Sequence, residues 1–313
     1  MIRSDALDGA SLSFIGCGVM AEAMIAGLLS KNLVKPEQVV GSHPREERRE
    51  ELEAKYGIRL FESNREAAVH HSTRAALVGA STSSRASALV SDQAASIAND
   101  EGASISIVVL TVKPQRLGAV LGDLKEGIQP HQLVISIVAG ARVETIADAL
   151  QNRSIVRAMP NTPAQIGEGM TVWTATPEVD EAQQTQIHAV FGALGREMHV
   201  EEERMIDMAT ALSATGPTYT FLMMEALIDA GVHMGFSRHV AEELVLQTML
   251  GSVLFARESR KHPAELRNMV TSPGGTSAEA IYQMEKGGLR TVLSKAVWAA
   301  YQKATALGRK VKE

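Results

Sequence analysis

The sequence predicts an α/β N-terminal part built on a doubly wound parallel sheet, followed by an all-α C-terminal part. Three observations carry this expectation. Short apolar, β-branched runs alternate with helical patterns through the first two-thirds of the chain, and the first run ends in a glycine-rich turn that opens a helix. Beyond Met205 the chain shows only long apolar helical segments broken by Gly-Pro and Pro-Gly pairs. A length of 313 residues suits two domains, placed at 1–203 and 204–313, with the change of character at Glu201-Glu202-Glu203.

Ser11–Ile15 is the first strand-like run and leads into Gly16-Cys17-Gly18-Val19-Met20-Ala21. Ala23–Leu29 follows as a helix rich in Ala, Ile, Leu and Met, and Asn32 and Pro36 punctuate its end. Gln38–Val40 is a second strand, Arg45–Tyr56 a charged helix and Ile58–Leu60 a brief third strand. Ile105–Val112 is almost continuously apolar, as a strand buried on both faces requires, and Leu133–Val138 and Ser154–Ala158 repeat that character. Residues 69–104, rich in Ser and Ala, are too long for an ordinary connection. They are expected to be a surface insertion or partly disordered, with Leu89, Val90, Ala94, Ile97 and Ala98 as one weak helical stripe. Val240–Ala256 is apolar on nearly every side, so it needs cover on several faces. A second subunit is the expected cover; the central helix of a monomeric bundle is the alternative.

Composition narrows the function classes. A net charge of -5 supplies no basic stripe for nucleic acid, and 4% aromatic residues weaken any base-stacking role. The single cysteine, Cys17, allows no internal disulfide and fits a reducing cytosol. Asp5 and Asp8 without an apolar stretch argue against a signal peptide, and no apolar run approaches the ~20 residues of a membrane span. A cytoplasmic protein is expected.

The glycine turn has the context that gives such motifs meaning, a strand before it and a helix after it. Gly16 permits the tight turn, Gly18 the approach of a pyrophosphate, and Ala21 close helix–strand packing. Backbone N–H groups and the dipole at the helix start then favour the anion. This is the fingerprint of a Rossmann dinucleotide domain; a plain strand–turn–helix corner is the alternative. The second strand ends in Gly41-Ser42-His43-Pro44-Arg45, with no carboxylate for a ribose 2′-hydroxyl. With Ser42 and Arg45 as donors, NADP(H) is favoured over NAD(H), which stays possible. Arg45 could equally begin a solvated helix with Arg48 and Arg49.

Further motifs lie at later strand ends. Ile105–Val112 runs into Lys113-Pro114-Gln115, and the next strand into Ser136-Ile137-Val138-Ala139-Gly140. In open α/β sheets ligands bind beyond such strand ends. Arg157–Ala164 carries two prolines that fix a loop, either catalytic or simply structural. Pro217 is expected to interrupt a helix at Ala211–Pro217. In Val270-Thr271-Ser272-Pro273-Gly274-Gly275-Thr276-Ser277, Pro273 is expected to end one helix and Thr276 or Ser277 to cap the next. Two glycines there expose N–H groups suited to a carboxylate or phosphate.

Together these motifs resemble the pyrroline-5-carboxylate reductase family, and the Thr271–Ser277 loop is the most specific of them. The resemblance spans nearly the whole chain in the family's order. It implies an N-terminal Rossmann domain and a helical C-terminal domain that interlocks in a dimer, often within a ring of dimers. It also implies NAD(P)H-dependent reduction of 1-pyrroline-5-carboxylate to proline. Carried over by position, Ile15, Gly16, Cys17, Gly18, Val19 and Met20 meet the pyrophosphate, and Ser42 or His43 the adenosine phosphate. Asn64, Thr111, Val112, Lys113, Pro114, Ile137, Val138 and Ala139 complete the cofactor site. N–H groups around Gly274, Gly275 and Thr276 hold the substrate carboxylate, helped by Ser272. Ser277, with Thr276 beside it, takes the catalytic position. Its hydroxyl would hydrogen-bond the ring nitrogen, orienting it or relaying a proton. Two positions depart from the family: Ser277 replaces a usual threonine, and Ala214-Thr215 a usual Gly-Ser. Residues 69–104 add roughly thirty residues to the family connection.

Three other readings of the sequence are weaker. The related 3-hydroxyacid dehydrogenases resemble one another in a catalytic lysine on the first long C-terminal helix, and Met205–Arg238 contains no lysine. A non-catalytic regulatory or nucleotide-sensing homologue is the alternative, which the intact 272–277 loop argues against. The nine histidines and Cys17 show no metal-ligand spacing, so no metal is expected.

Overall fold

The computed structural model describes residues 5–70 and 106–310, and the expected insertion at 69–104 lies almost wholly outside the described residues. The chain divides into two compact units, Met1–Ala214 with Tyr301–Glu313, and Thr215–Ala300.

The first unit contains an 8-stranded sheet of β1 (Ser11–Ile15), β2 (Val39–Ser42), β3 (Arg59–Phe61), β4 (Ser106–Leu110), β5 (Leu133–Ser136), β6 (Ile155–Met159), β7 (Gly169–Ala175) and β8 (Gly195–His199). The spatial order is β3-β2-β1-β4-β5-β6-β7-β8, so the chain runs outward from β1 in one direction and then returns to run outward in the other. β1 to β6 are all parallel, in agreement with the doubly wound reading. Its helices are α1 (Val19–Ser30), α2 (Glu46–Tyr56), α3 (described at 64–70), α4 (Leu117–Leu124), α5 (Val143–Leu150), α6 (Glu181–Gly192) and α7 (Arg204–Ala209).

The alternation of a strand places successive side chains on opposite faces. Leu12, Phe14, Ile107 and Val109 accordingly join Met24, Ile25 and Phe191 of α1 and α6 in one core. Ile15, Val108 and Leu110 join Leu117, Leu121 and Ile146 of α4 and α5 in the other. Both faces are covered, and the strands read as continuous apolar runs for that reason.

β7, a strand the sequence does not announce, extends the parallel sheet by pairing antiparallel to β6. Residues 160–168 between them form a single 3-10 turn, and a parallel return needs a crossover of about a dozen residues or more. α6 then provides such a crossover, and β8 lies parallel to β7.

α1 and α2 are joined by Glu22, which accepts hydrogen bonds from Arg48 (2.5 Å), Lys55 (2.8 Å) and Tyr56 (2.9 Å). Burial pushes the Glu22 carboxyl up, but the three donors together outweigh it and bring it from the usual 4.5 down to about 2. A depressed folded-state value means stability that is present above 4.5 and lost as the pH falls toward 2. Glu22→Gln is therefore expected to be less stable than wild type at pH 7 in urea unfolding, with the gap closing between pH 4.5 and 2.

After α7 the chain makes a π-helical stretch, Thr210–Ala214. The second unit holds α8 (Gly216–His233), α9 (Arg238–Ser259), α10 (Pro263–Met269), α11 (Thr276–Lys286) and the start of α12 (Leu289–Lys310). Pro217 sits in the first turn of α8, where its missing N–H costs nothing, so the helix break lies just before it. On α9, Leu244, Leu246, Leu250, Val253 and Phe255 all stand exposed, Val253 by 65%. In a single chain, most of this apolar helix is uncovered.

Candidate nucleotide and substrate sites

Register aligns the strand ends. Ser42, Ile15, Leu110 and Ser136 occupy one rung across β2, β1, β4 and β5. The loops that leave these strands therefore emerge on one edge, around the point where the strand order reverses at β1. That is where open α/β sheets form a ligand crevice. The structure thus brings together the expected cofactor residues after β1 (Ile15–Met20), β4 (Thr111–Pro114) and β5 (Ile137–Ala139).

The turn after β1 is held from both sides. Gly16 has φ +93°, and a Cβ there would lie 2.5 Å from Val112 Cγ1, so the position requires glycine. Its N–H donates to the Ser42 carbonyl (3.2 Å) and to Ser42 Oγ (3.2 Å), while the Cys17 N–H donates to the same carbonyl at 2.8 Å. From β4, Thr111 Oγ1 donates to the carbonyls of Ile15 and Gly16, both at 2.9 Å. Gly18 is the N-cap of α1 and no side chain caps it. The first N–H groups of α1, at Val19 and Met20, thus lack intrahelical acceptors, and Val19 is 62% exposed. An uncapped helix start behind a pinned glycine turn fits a pyrophosphate.

Several expected residues act differently from the sequence reading. Ser42 is fully buried and its hydroxyl donates to Asn64 Oδ1 at 2.8 Å, so it is not an outward donor to an adenosine phosphate. Asn64 in turn donates to Asp123 at 3.1 Å. Both residues brace the turn. Cys17 is also fully buried, and burial pushes its thiol up to about 12, so it contributes shape and not reactivity. Outward contact at this edge falls to His43 and Arg45. Burial, together with the positive field of Arg45, Arg48 and Arg49, holds the His43 imidazole below its usual value. Arg48 is taken up by Glu22 and Glu51, so Arg45 and Arg49, beside a strand end that itself carries no carboxylate, are the guanidinium groups that fit a phosphate. Lys113 is exposed at the end of β4, ahead of Pro114, which begins a 3-10 turn.

One feature of the site edge escaped the sequence reading. Arg157 of β6, pairing with Ser136 in register, is 2% exposed and carries an ion pair from each terminal nitrogen, to Glu203 (2.9 Å) and Asp207 (2.5 Å). Glu203 also accepts the Val143 N–H at 2.9 Å, which ties α5 to α7. The signal was present: an arginine inside Ile155-Val156-Arg157-Ala158-Met159 must find carboxylates if the strand is buried. Nearby, Asn161 accepts the Met170 N–H (2.8 Å) and donates to the Ser213 carbonyl in the π-helical stretch (3.3 Å).

In the second unit, the 272–277 loop differs from expectation in two respects. α10 ends at Met269, ahead of Pro273, and the N-cap of α11 is Gly275, with no side-chain capping bond. Neither Thr276 nor Ser277 is the cap. Gly275 approaches Ser272 so closely that a Cβ would lie 2.5 Å from Ser272 Oγ. The Gly275 N–H is used on the Ser272 carbonyl (3.0 Å), leaving Thr276 and Ser277 as the open N–H groups of α11. Ser277 is half-buried at this helix start.

The chain matches two family descriptions, "Pyrroline-5-carboxylate reductase dimerisation" over residues 203–307 and "NADP oxidoreductase coenzyme F420-dependent" over residues 11–78. It is 38% identical over 299 residues to the pyrroline-5-carboxylate reductase of a Synechocystis strain, covering 96% of this chain and 98% of that one. It is 35% identical to the enzyme of that name from Pseudomonas aeruginosa, covering 96% and 97%. Among solved structures it resembles the Plasmodium falciparum pyrroline carboxylate reductase with NADP bound, at 29% identity and TM-score 0.78, covering 96% and 98%.

Proposed function

The chain belongs to the pyrroline-5-carboxylate reductase family, and on that premise we propose that it reduces 1-pyrroline-5-carboxylate to proline with NADPH. The observation that carries this reading is the likeness along 96% of the chain, which includes both the glycine turn and the 272–277 loop. Bound NADPH supplies a hydride to the C=N carbon, and the ring nitrogen carries or acquires one proton, giving the secondary amine.

The chain's own residues bind and orient. The open N–H groups at Val19 and Met20 take the pyrophosphate, and Arg45 with His43 takes the adenosine phosphate. Ile137, Val138 and Ala139 line the reactive half. The open N–H groups of Thr276 and Ser277, at the positive end of α11, hold the substrate carboxylate. The Ser277 hydroxyl hydrogen-bonds the ring nitrogen and fixes its position. A hydroxyl is too weak an acid to lead the chemistry, and a protonated imine is already electrophilic.

Phosphate recognition has a specific test. Arg45→Ala is expected to raise the KM for NADPH about tenfold, the value of one charge-assisted hydrogen bond, and to leave the KM for NADH within about twofold. Equal effects on both would assign Arg45 to the solvated face of α2.

The exposed apolar residues of α9 are covered, on this reading, by a second copy of the chain. The match to a dimerisation family over 203–307 supports self-association. A ring of such dimers is the larger assembly proposed, with a cytoplasmic location. Among the described residues no helix is long and apolar enough to cross a membrane.

A further inference from the structure

We infer that Gly308 is a positioning residue for the cofactor: the end of α12 sets where the Ile137–Gly140 loop lies. This rests on the reading that Ile137, Val138 and Ala139 line the cofactor site. α12 is largely exposed, but Ala304 and Gly308 near its end are buried within the first unit. There the helix backbone meets the loop backbone. A Cβ on Gly140 would lie 2.8 Å from the Gly308 nitrogen, and one on Gly308 would lie 3.0 Å from the Gly140 carbonyl oxygen. Anchoring a helix end needs only apolar burial, which Ala304 supplies. Gly140 needs glycine in any case for its φ of +74°, but Gly308 is helical, and a glycine there is needed only if the backbones must approach this closely.

The loop has little slack to absorb a push. On one side the Ile137 N–H is bonded to the Leu110 carbonyl (3.1 Å), and within the loop the Ala141 N–H is bonded to the Val138 carbonyl (3.1 Å). On the other side the Val143 N–H is bonded to Glu203. Val138 and Ala141 are themselves buried. A side chain at 308 therefore displaces Ala139 and Val138, and with them the wall of the cofactor site.

The test uses full-length Gly308→Val and Gly308→Ala, with KM for NADPH, KM for 1-pyrroline-5-carboxylate and thermal midpoint measured on each. Gly308→Val is expected to raise the KM for NADPH about tenfold, with the substrate KM within about twofold, since small misplacements carry large kinetic penalties. A purely structural contact moves the midpoint and neither KM. An unchanged KM for NADPH in folded Gly308→Val overturns the proposal. If that variant does not fold, Gly308→Ala decides, with about a threefold rise expected and no change overturning the proposal. Ala139→Leu separates the premise. If it leaves the KM for NADPH unchanged, the loop does not line the cofactor site and both readings fall; if it raises that KM while the Gly308 variants do not, only the Gly308 proposal falls.

Discussion

Arg157→Leu is expected to lower the free energy of unfolding by about 3–5 kcal/mol, the cost of breaking a buried ion pair from one side. The arginine is 2% exposed and both of its partners are carboxylates. Removing it leaves Asp207, only 14% exposed, without its counter-charge, and leaves Glu203 holding the Val143 N–H alone. Solvent can relieve Glu203, at 34% exposure, better than Asp207. Adding Asp207→Asn to Arg157→Leu should therefore recover more stability than adding Glu203→Gln. Urea unfolding at matched protomer concentration reads both effects, since self-association makes apparent stability depend on concentration. A loss below about 1 kcal/mol for Arg157→Leu contradicts the clamp.

Ser277→Ala is expected to lower kcat about 100-fold while leaving stability within about 0.5 kcal/mol. The two halves of this expectation come from different features. Gly275, not Ser277, is the N-cap of α11, and no side chain bonds across that helix start. The hydroxyl is thus spared a role whose loss costs about 1 kcal/mol. The kinetic half follows from the bond proposed between this hydroxyl and the ring nitrogen. Ser277→Thr keeps the oxygen and adds a methyl that restricts its rotamer, and should retain turnover. Steady-state kinetics with parallel thermal melts distinguish the cases: stability lost with turnover intact would return Ser277 to a structural role.

How much of this was legible in the sequence depends on which physical signal each element carries. β1, β4, β5 and β6 are buried on both faces and announce themselves as apolar runs. β8 reads Gly-Arg-Glu-Met-His, half solvated at the sheet edge, and carries no such signal. β7 interleaves Thr with Val and Trp, and only the short turn before it reveals its direction.

At the site, the glycine turn was readable because backbone geometry demands specific residues. The direction of Ser42 was not, since in a strand buried on both faces polarity no longer marks the outward side. The Arg157 clamp needed a pairing between residues 46 and 50 positions apart, which no local pattern displays. A hydroxyl is the commoner N-cap, so the sequence points to Thr276 or Ser277 for α11, whereas a glycine serves where Ser272 packs beneath it.

The most direct test of the central claim mixes the purified chain with NADPH and 1-pyrroline-5-carboxylate and follows NADPH oxidation together with proline formation. One proline is expected for each NADPH oxidised, with NADPH more effective than NADH at equal concentration. A chain that binds NADPH but oxidises neither nucleotide in the presence of this substrate would contradict that claim and leave a nucleotide-sensing role in its place.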